Sequence, residues 1–155
     1  MKQAVDWLEK NHESIVRGLA DLVAIPSIST DGEHTAEIDR TATLTATQMR
    51  EAGLNNVEVL RVGSSLPYVY GEWLEAPGKP TVFLYAHHDV QPVNFLEHWK
   101  SDPWKLTRRD GRLFARGSAD DKAAISAQLG AVAAFRKTVE HLPVNIKMLV
   151  EGEEE

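Results

Sequence analysis

The sequence predicts an α/β fold in which helices pack on a layered sheet. Segments with helical periodicity alternate with extended apolar runs along the chain, and one of those runs, TVFLYAHHDV from Thr81, is apolar enough to read as a buried central strand. The composition agrees: 155 residues, 43% hydrophobic and 26% charged, describe one globular domain or part of one.

The first element is a helix. Val5, Leu8, His12, Ile15, Leu19 and Leu22 recur at three- and four-residue spacing, predicting an amphipathic helix that ends before Pro26 and packs on the sheet. On this spacing His12 is a partly buried core histidine. After the loop IPSISTDGEH, a second helix is predicted over 34–52, with Ile38, Ala42, Thr45, Met49 and Ala52 on one stripe and Gly53 as its stop. Strands are predicted over 57–62, over 68–73 and from Thr81, with Pro77, Gly78 and Pro80 marking the gap before the third. Asp110-Gly111 predicts a hairpin turn within 104–116. An Ala-rich helix follows over about 120–139, its acidic start suited to the positive end of the helix dipole. The run VNIKMLVEGEEE from Val144 reads as a last buried strand whose end carries its acidic residues out of the sheet. No internal repeat, linker or domain boundary is visible, and the abrupt EGEEE terminus predicts a truncated chain.

Bulk properties exclude several functions. A net charge of −6 argues against nucleic-acid binding, which relies on clustered cations to neutralise phosphates. With no cysteine, a metal would have to be held by His, Asp and Glu. No apolar stretch reaches the roughly 18 residues of a membrane helix, and the start lacks the apolar run of a signal peptide, so the expectation is a cytoplasmic protein with no membrane partner. A phosphate loop is excluded because Gly111 and Gly117 are one residue too far apart and Ser118 follows where Lys should.

Three segments carry candidate chemistry. His87-His88-Asp89 ends the apolar strand, where ligands collect in open α/β sheets. Alternation places His87 and Asp89 on one face, so that His87 can ligate a metal with Asp89 orienting its ring, while His88 is structural. The bland reading is a polar strand end. In ARGSADDKAA, Asp120 or Asp121 is either a helix N-cap or, for Asp120, a carboxylate able to bridge two metals. Glu151, Glu153, Glu154 and Glu155 are either a solvated acidic end or a ligand and a proton shuttle held in one turn. His34, His98 and His141 lack ligand-like neighbours, Trp99 and Trp104 are expected to pack the hairpin, and Arg116 is open between orienting Asp120 and binding a substrate carboxylate.

Taken in order, YAHHDVQPV, WKSDPWKLTRRDGRLFARGSADDKAA and LVEGEEE closely resemble the three signature regions of the zinc-dependent family that includes carnosinase, aminoacylase, succinyl-diaminopimelate desuccinylase and carboxypeptidase G. The likeness covers nearly the whole chain, and the DVQP wording is most similar to the dipeptidase branch. Ala86 and Ala123 stand where the family often has glycine, and neither removes a ligand.

The resemblance implies a three-layer catalytic domain with a mixed, mostly parallel sheet, of which 1–155 is the N-terminal portion. It implies two Zn²⁺ ions, with Co²⁺ or Mn²⁺ as substitutes, and makes His87 a ligand of one ion, Asp89 its orienting partner, Asp120 the bridge, Glu155 a ligand of the other ion and Glu154 the general base. Glu151 and Glu153 become supporting residues. The implied activity is hydrolysis of a dipeptide, with N-acyl amino acid deacylation as the alternative and a noncatalytic, partner-binding remnant as the rival. Further ligands, more strands and a lid domain through which many members form homodimers would lie outside this sequence, leaving the isolated chain a poor catalyst.

Overall fold

The computed structural model describes residues 1–139 and 141–155. Helix α1 (Lys2–Val23) buries Ala4, Leu19, Leu22 and Val23. Val5 stays 46% exposed and His12 lies in solvent, its Nδ1 3.6 Å from Glu13. The apolar stripe is therefore one residue out of phase with the expected one at its start, and His12 is not a core histidine. Nor does α1 lie directly on the sheet. It rests mainly on α3 (Lys122–Thr138), where Ile15 Cδ1 would stand 3.1 Å from a β-carbon at Gly130, and it touches α2 (Thr35–Ala52) through a bond from Gln48 Nε2 to the Gly18 carbonyl (3.0 Å).

Helix α2 follows its sequence closely. Ile38, Ala42, Thr45, Met49 and Ala52 are all buried. Gly53 ends it with φ 96°, a left-handed conformation in which a β-carbon is strained, and the amide of Leu54 reaches back to the Met49 carbonyl (3.1 Å) to close the last turn.

The main sheet has the order β1 (Asn55–Leu60), β2 (Tyr68–Trp73), β6 (Asn145–Glu151), β3 (Thr81–His87). The mixed character is as expected. Parallel pairing, however, is confined to β3 and β6; β1–β2 and β2–β6 are antiparallel, so in this chain the sheet is not mostly parallel. Asp110 (φ 51°) and Gly111 (φ 72°) form the turn between β4 (Thr107–Arg109) and β5 (Arg112–Phe114), the paired positive φ values that a two-residue hairpin requires.

Helices α2 and α3 touch each other and cover the same face of the sheet. The core lies between: Val69 and Trp73 from β2, Ile146, Met148 and Val150 from β6, and Ala86 from β3 pack with Leu22, Met49, Ile125 and Leu129. On the other face Phe83 and Tyr85 are exposed. This corrects the central placement of β3. An unbroken apolar run reads as a strand buried on both faces, but among the described residues β3 pairs only with β6 and lies at the sheet edge. Among the described residues no helix is long and apolar enough to cross a membrane.

Candidate metal centre

Because β3 and β6 run parallel, their carboxyl ends coincide, and His87 pairs directly with Glu151. Ligand sites in open α/β sheets form outside such ends. Three segments meet there: His87–Asp89 leaving β3, Gly152–Glu155 leaving β6, and Asp120-Asp121, joined by a cis peptide, entering α3.

His87, Asp120 and Glu155 each offer one ligand atom, and these atoms lie within 4.8 Å of one another. His87 Nε2 is 3.1 Å from Asp120 Oδ1 and 3.8 Å from Glu154 Oε2. Behind the ring, His87 Nδ1 is 3.3 Å from the fully buried Asp89 carboxylate and 3.2 Å from the Asp89 carbonyl, so Nε2 is the nitrogen turned toward the cluster. Asp89 also accepts the backbone N–H of Glu155 on Oδ2 (3.0 Å), which ties the glutamate turn to the histidine strand.

The charges follow from this packing. The Asp89 carboxylate 3.3 Å from the ring pushes His87 up to about 9 against the opposing effect of burial, and Asp120 adds to the rise. Burial by itself would raise Asp89. The nearby His87 ring and the N–H groups of Glu155 and Glu154 outweigh that effect and hold it at about 2. The adjacent His88 is the reverse case. It is sealed in the core, and burial lowers it to about 4, with Nε2 bonded to the Pro67 carbonyl at 2.9 Å. Asp121 occupies the N-cap position of α3 without a side-chain cap bond, and its Oδ2 instead accepts the His87 amide (3.3 Å).

Several residues at the site escape sequence reasoning. Gly152 leaves no room for a side chain, since a β-carbon there would lie 2.4 Å from the Pro67 oxygen and 2.7 Å from His88 Cε1. Glu151 is held by Tyr85 Oη (2.7 Å) and Tyr68 Oη (3.2 Å), and Glu153 by Tyr68 Oη (2.9 Å) and the Leu66 amide (3.1 Å). The bond to Glu153 raises the Tyr68 phenol to about 12, whereas burial, and then the bond to Glu151, raises that of Tyr85. Lys122 is completely buried, and burial lowers its ammonium to about 7. Glu151 and Glu153 were expected as supporting residues, but nothing in the sequence pointed to Tyr68, Tyr85, Gly152 or Lys122 as their partners or neighbours at the site.

Other candidates lie apart. His34 pairs with Asp31 (2.8 Å), and His98 stacks on Phe95 with ring centroids 5.8 Å apart. Arg116 donates to the Pro92 carbonyl (3.1 Å), with its guanidinium 5.7 Å from the Trp99 ring.

The donor set suits a divalent cation of the zinc type: one imidazole with its second nitrogen fixed by a carboxylate, two further carboxylates, and no thiol in the chain. The family model described as peptidase family M20/M25/M40 matches residues 83–155, which include all three segments of the cluster. The crystal structure of human carnosine dipeptidase 1 superposes with a TM-score of 0.91 at 32% identity, over 99% of this chain and 34% of that one. The chain is similar to members of peptidase family M20/M25/M40 over residues 83–155. Among M20 relatives, the beta-Ala-His dipeptidase of Rattus norvegicus is 33% identical over 100% of this chain and 34% of its own length. A Cys-Gly metallodipeptidase of Schizosaccharomyces pombe is 31% identical over 100% of this chain and 35% of its own length. The chain thus spans about a third of the length of these M20 relatives.

Proposed function

We propose that this chain supplies part of a two-zinc centre in a hydrolase of peptide or N-acyl amide bonds, with dipeptides as the main substrates. The observation that carries the reading is the convergence of ligand atoms from His87, Asp120 and Glu155 within 4.8 Å, with the Glu154 carboxylate beside them. The dipeptidase branch is favoured by the M20 relatives named as beta-Ala-His and Cys-Gly dipeptidases.

In this reading His87 and Glu155 would be ligands of the metal ions and Asp120 a carboxylate shared between them, with Co²⁺ or Mn²⁺ fitting the same donors. Bound divalent ions polarise a carbonyl and make water acidic enough to ionise near neutral pH. The chain's own residues do the rest. Glu154 takes the proton of the attacking water on its carboxylate and returns it to the departing amine, one group acting as base and then acid. Asp89 keeps the His87 ring turned so that Nε2 faces the cluster. Since the chain spans a third of its relatives' length, the activity is assigned to the whole protein, a cytoplasmic homodimer in this reading, with residues 1–155 as the N-terminal portion of its catalytic domain.

The test is hydrolysis of β-Ala-His, Cys-Gly and N-acyl amino acids by the protein at its natural length, with and without chelator. Dipeptide turnover should vanish on chelation and return with zinc. Glu154→Ala should keep its metal while turnover falls by about 10²–10⁴-fold. Unchanged turnover in that variant would refute the assignment of Glu154, and faster cleavage of N-acyl amino acids would move the protein to the deacylase branch.

A further inference from the structure

The IPSIS loop after α1 binds both halves of the candidate metal centre from below, and each attachment is a side chain with no assigned role. Lys122, the first residue of α3, stands two residues after Asp120. Its side chain is 0% exposed, and its Nζ donates to the carbonyls of Leu22 (2.9 Å) and Ile25 (2.8 Å), about one hundred residues earlier in the chain. Its stem passes Gly117, where a β-carbon would come within 3.1 Å of Lys122 Cδ. The Leu22 carbonyl belongs to the carboxyl end of α1, where the helix dipole favours a cation, and the Ile25 carbonyl to the loop just beyond it. Burying an ammonium without a bonded carboxylate is costly, and a methionine of equal length would fill the same space at lower cost.

Two residues beyond Ile25, the fully buried Ser27 makes the second attachment. Its Oγ donates to the His88 carbonyl (2.6 Å), and its own carbonyl accepts the Val90 amide (3.0 Å). Ile28 then pairs with Val90 as a short parallel bridge. The segment His87–Val90 is thereby fixed to the loop through Ser27 and Ile28, and the Asp120-Asp121 entry to α3 through Lys122.

We infer that Lys122 and Ser27 are positioning residues that set the Asp120 carboxylate against the His87 imidazole by anchoring both to the loop that follows α1. The inference rests on the metal-centre reading. Neither residue touches the cluster; they act through the backbone that carries it. A loss of either anchor should alter ligand geometry, not only stability.

The test is Co²⁺ binding to the natural-length protein, followed by visible absorption bands that report coordination geometry, with thermal melting recorded alongside. Lys122→Met should weaken Co²⁺ binding by about 10–100-fold, the range for lost outer partners of metal ligands, and shift the bands in protein that remains folded. Ser27→Ala should act in the same direction by roughly 3–10-fold, since His88–Val90 keeps its Ile28 bridge. Ile146→Ala, a core change at the amino end of β6 and so at the opposite end of that strand from the site, should lower the melting temperature and leave affinity and bands unchanged. Folded Lys122→Met and Ser27→Ala proteins with the parent's affinity and spectrum would overturn the inference. If Lys122→Met does not fold, Ser27→Ala decides it alone by the same criterion. His87→Ala is the separate control: Co²⁺ binding equal to the parent's in that variant would mean that the metal-centre reading itself has failed.

Discussion

His87 and His88 are consecutive, yet they belong to different regions. His87 faces the convergence of three acidic segments at the open end of the sheet, and carboxylates lift it to about 9. His88 faces inward against Pro67 and Gly152, and burial lowers it to about 4. Strand alternation produces the division, since a one-residue step turns a side chain to the opposite face. A residue type therefore says little about its role here. The face decides, and the two faces should fail differently when perturbed: the open one by losing metal, the inner one by losing stability.

The largest expected effect lies on the open face. His87→Ala removes a ligand outright, so Zn²⁺ or Co²⁺ affinity in the natural-length protein should fall by more than about 100-fold, beyond what losing an outer partner costs, while the metal-free melting temperature falls less than in core variants, the fall coming from the buried Asp89 left without its partner. A loss of stability comparable to that of core variants would break the contrast.

On the inner face, Gly152→Ala comes next. Its β-carbon would fall 2.4 Å from a backbone oxygen and 2.7 Å from the His88 ring, and neither neighbour is the free end of a flexible chain. Overpacking of this kind costs about 3 kcal/mol, measurable by urea denaturation of the metal-free protein. Wild-type stability in Gly152→Ala would show that the His88 pocket yields easily. His88→Ala should follow at about 2 kcal/mol, from a cavity and an abandoned Pro67 carbonyl. Metal affinity should survive in the folded fraction, and its selective loss would mean that the two faces are not independent.

How much of this was readable in advance depended on the range of the interactions. Helix α2 and the Asp110-Gly111 turn are local, and their sequences specify them through a five-residue stripe at three- and four-residue spacing and a pair of positive φ values. The phase of α1 was missed because its partner is α3, whose position no local pattern encodes. Strand β3 read as central because an apolar run implies cover on both faces without saying what provides it. At the site, alternation put His87 and Asp89 on one face, and Asp120 and the terminal glutamates were open between a helix cap or acidic end and metal chemistry, with the choice of Glu155 as ligand and Glu154 as base coming from family resemblance alone. Lys122 bonds to carbonyls about one hundred residues away, and Tyr85 to a carboxylate 66 residues away. Those pairings exist only once the sheet order is known.

The tyrosines give the smallest and sharpest test. Glu151 and Glu153 flank Gly152, so whatever fixes them fixes the turn that leads to Glu154 and Glu155. Tyr85 holds only Glu151, whereas Tyr68 bonds both carboxylates. Tyr85→Phe removes one donor from a carboxylate that keeps another, and the site is partly solvated, so the cost should be about 1 kcal/mol or less, with Co²⁺ affinity within roughly 3-fold of the parent. Tyr68→Phe frees Glu153 from its only side-chain donor among the described residues and loosens Glu151 as well, so it should weaken Co²⁺ binding more than Tyr85→Phe while costing similar stability. The reverse order would mean that the turn is held from the β3 side through Tyr85. Equal and negligible effects would leave the Asp89 bond to the Glu155 amide as the contact that fixes the ligand, and the dividing line between the two faces would then run through Asp89.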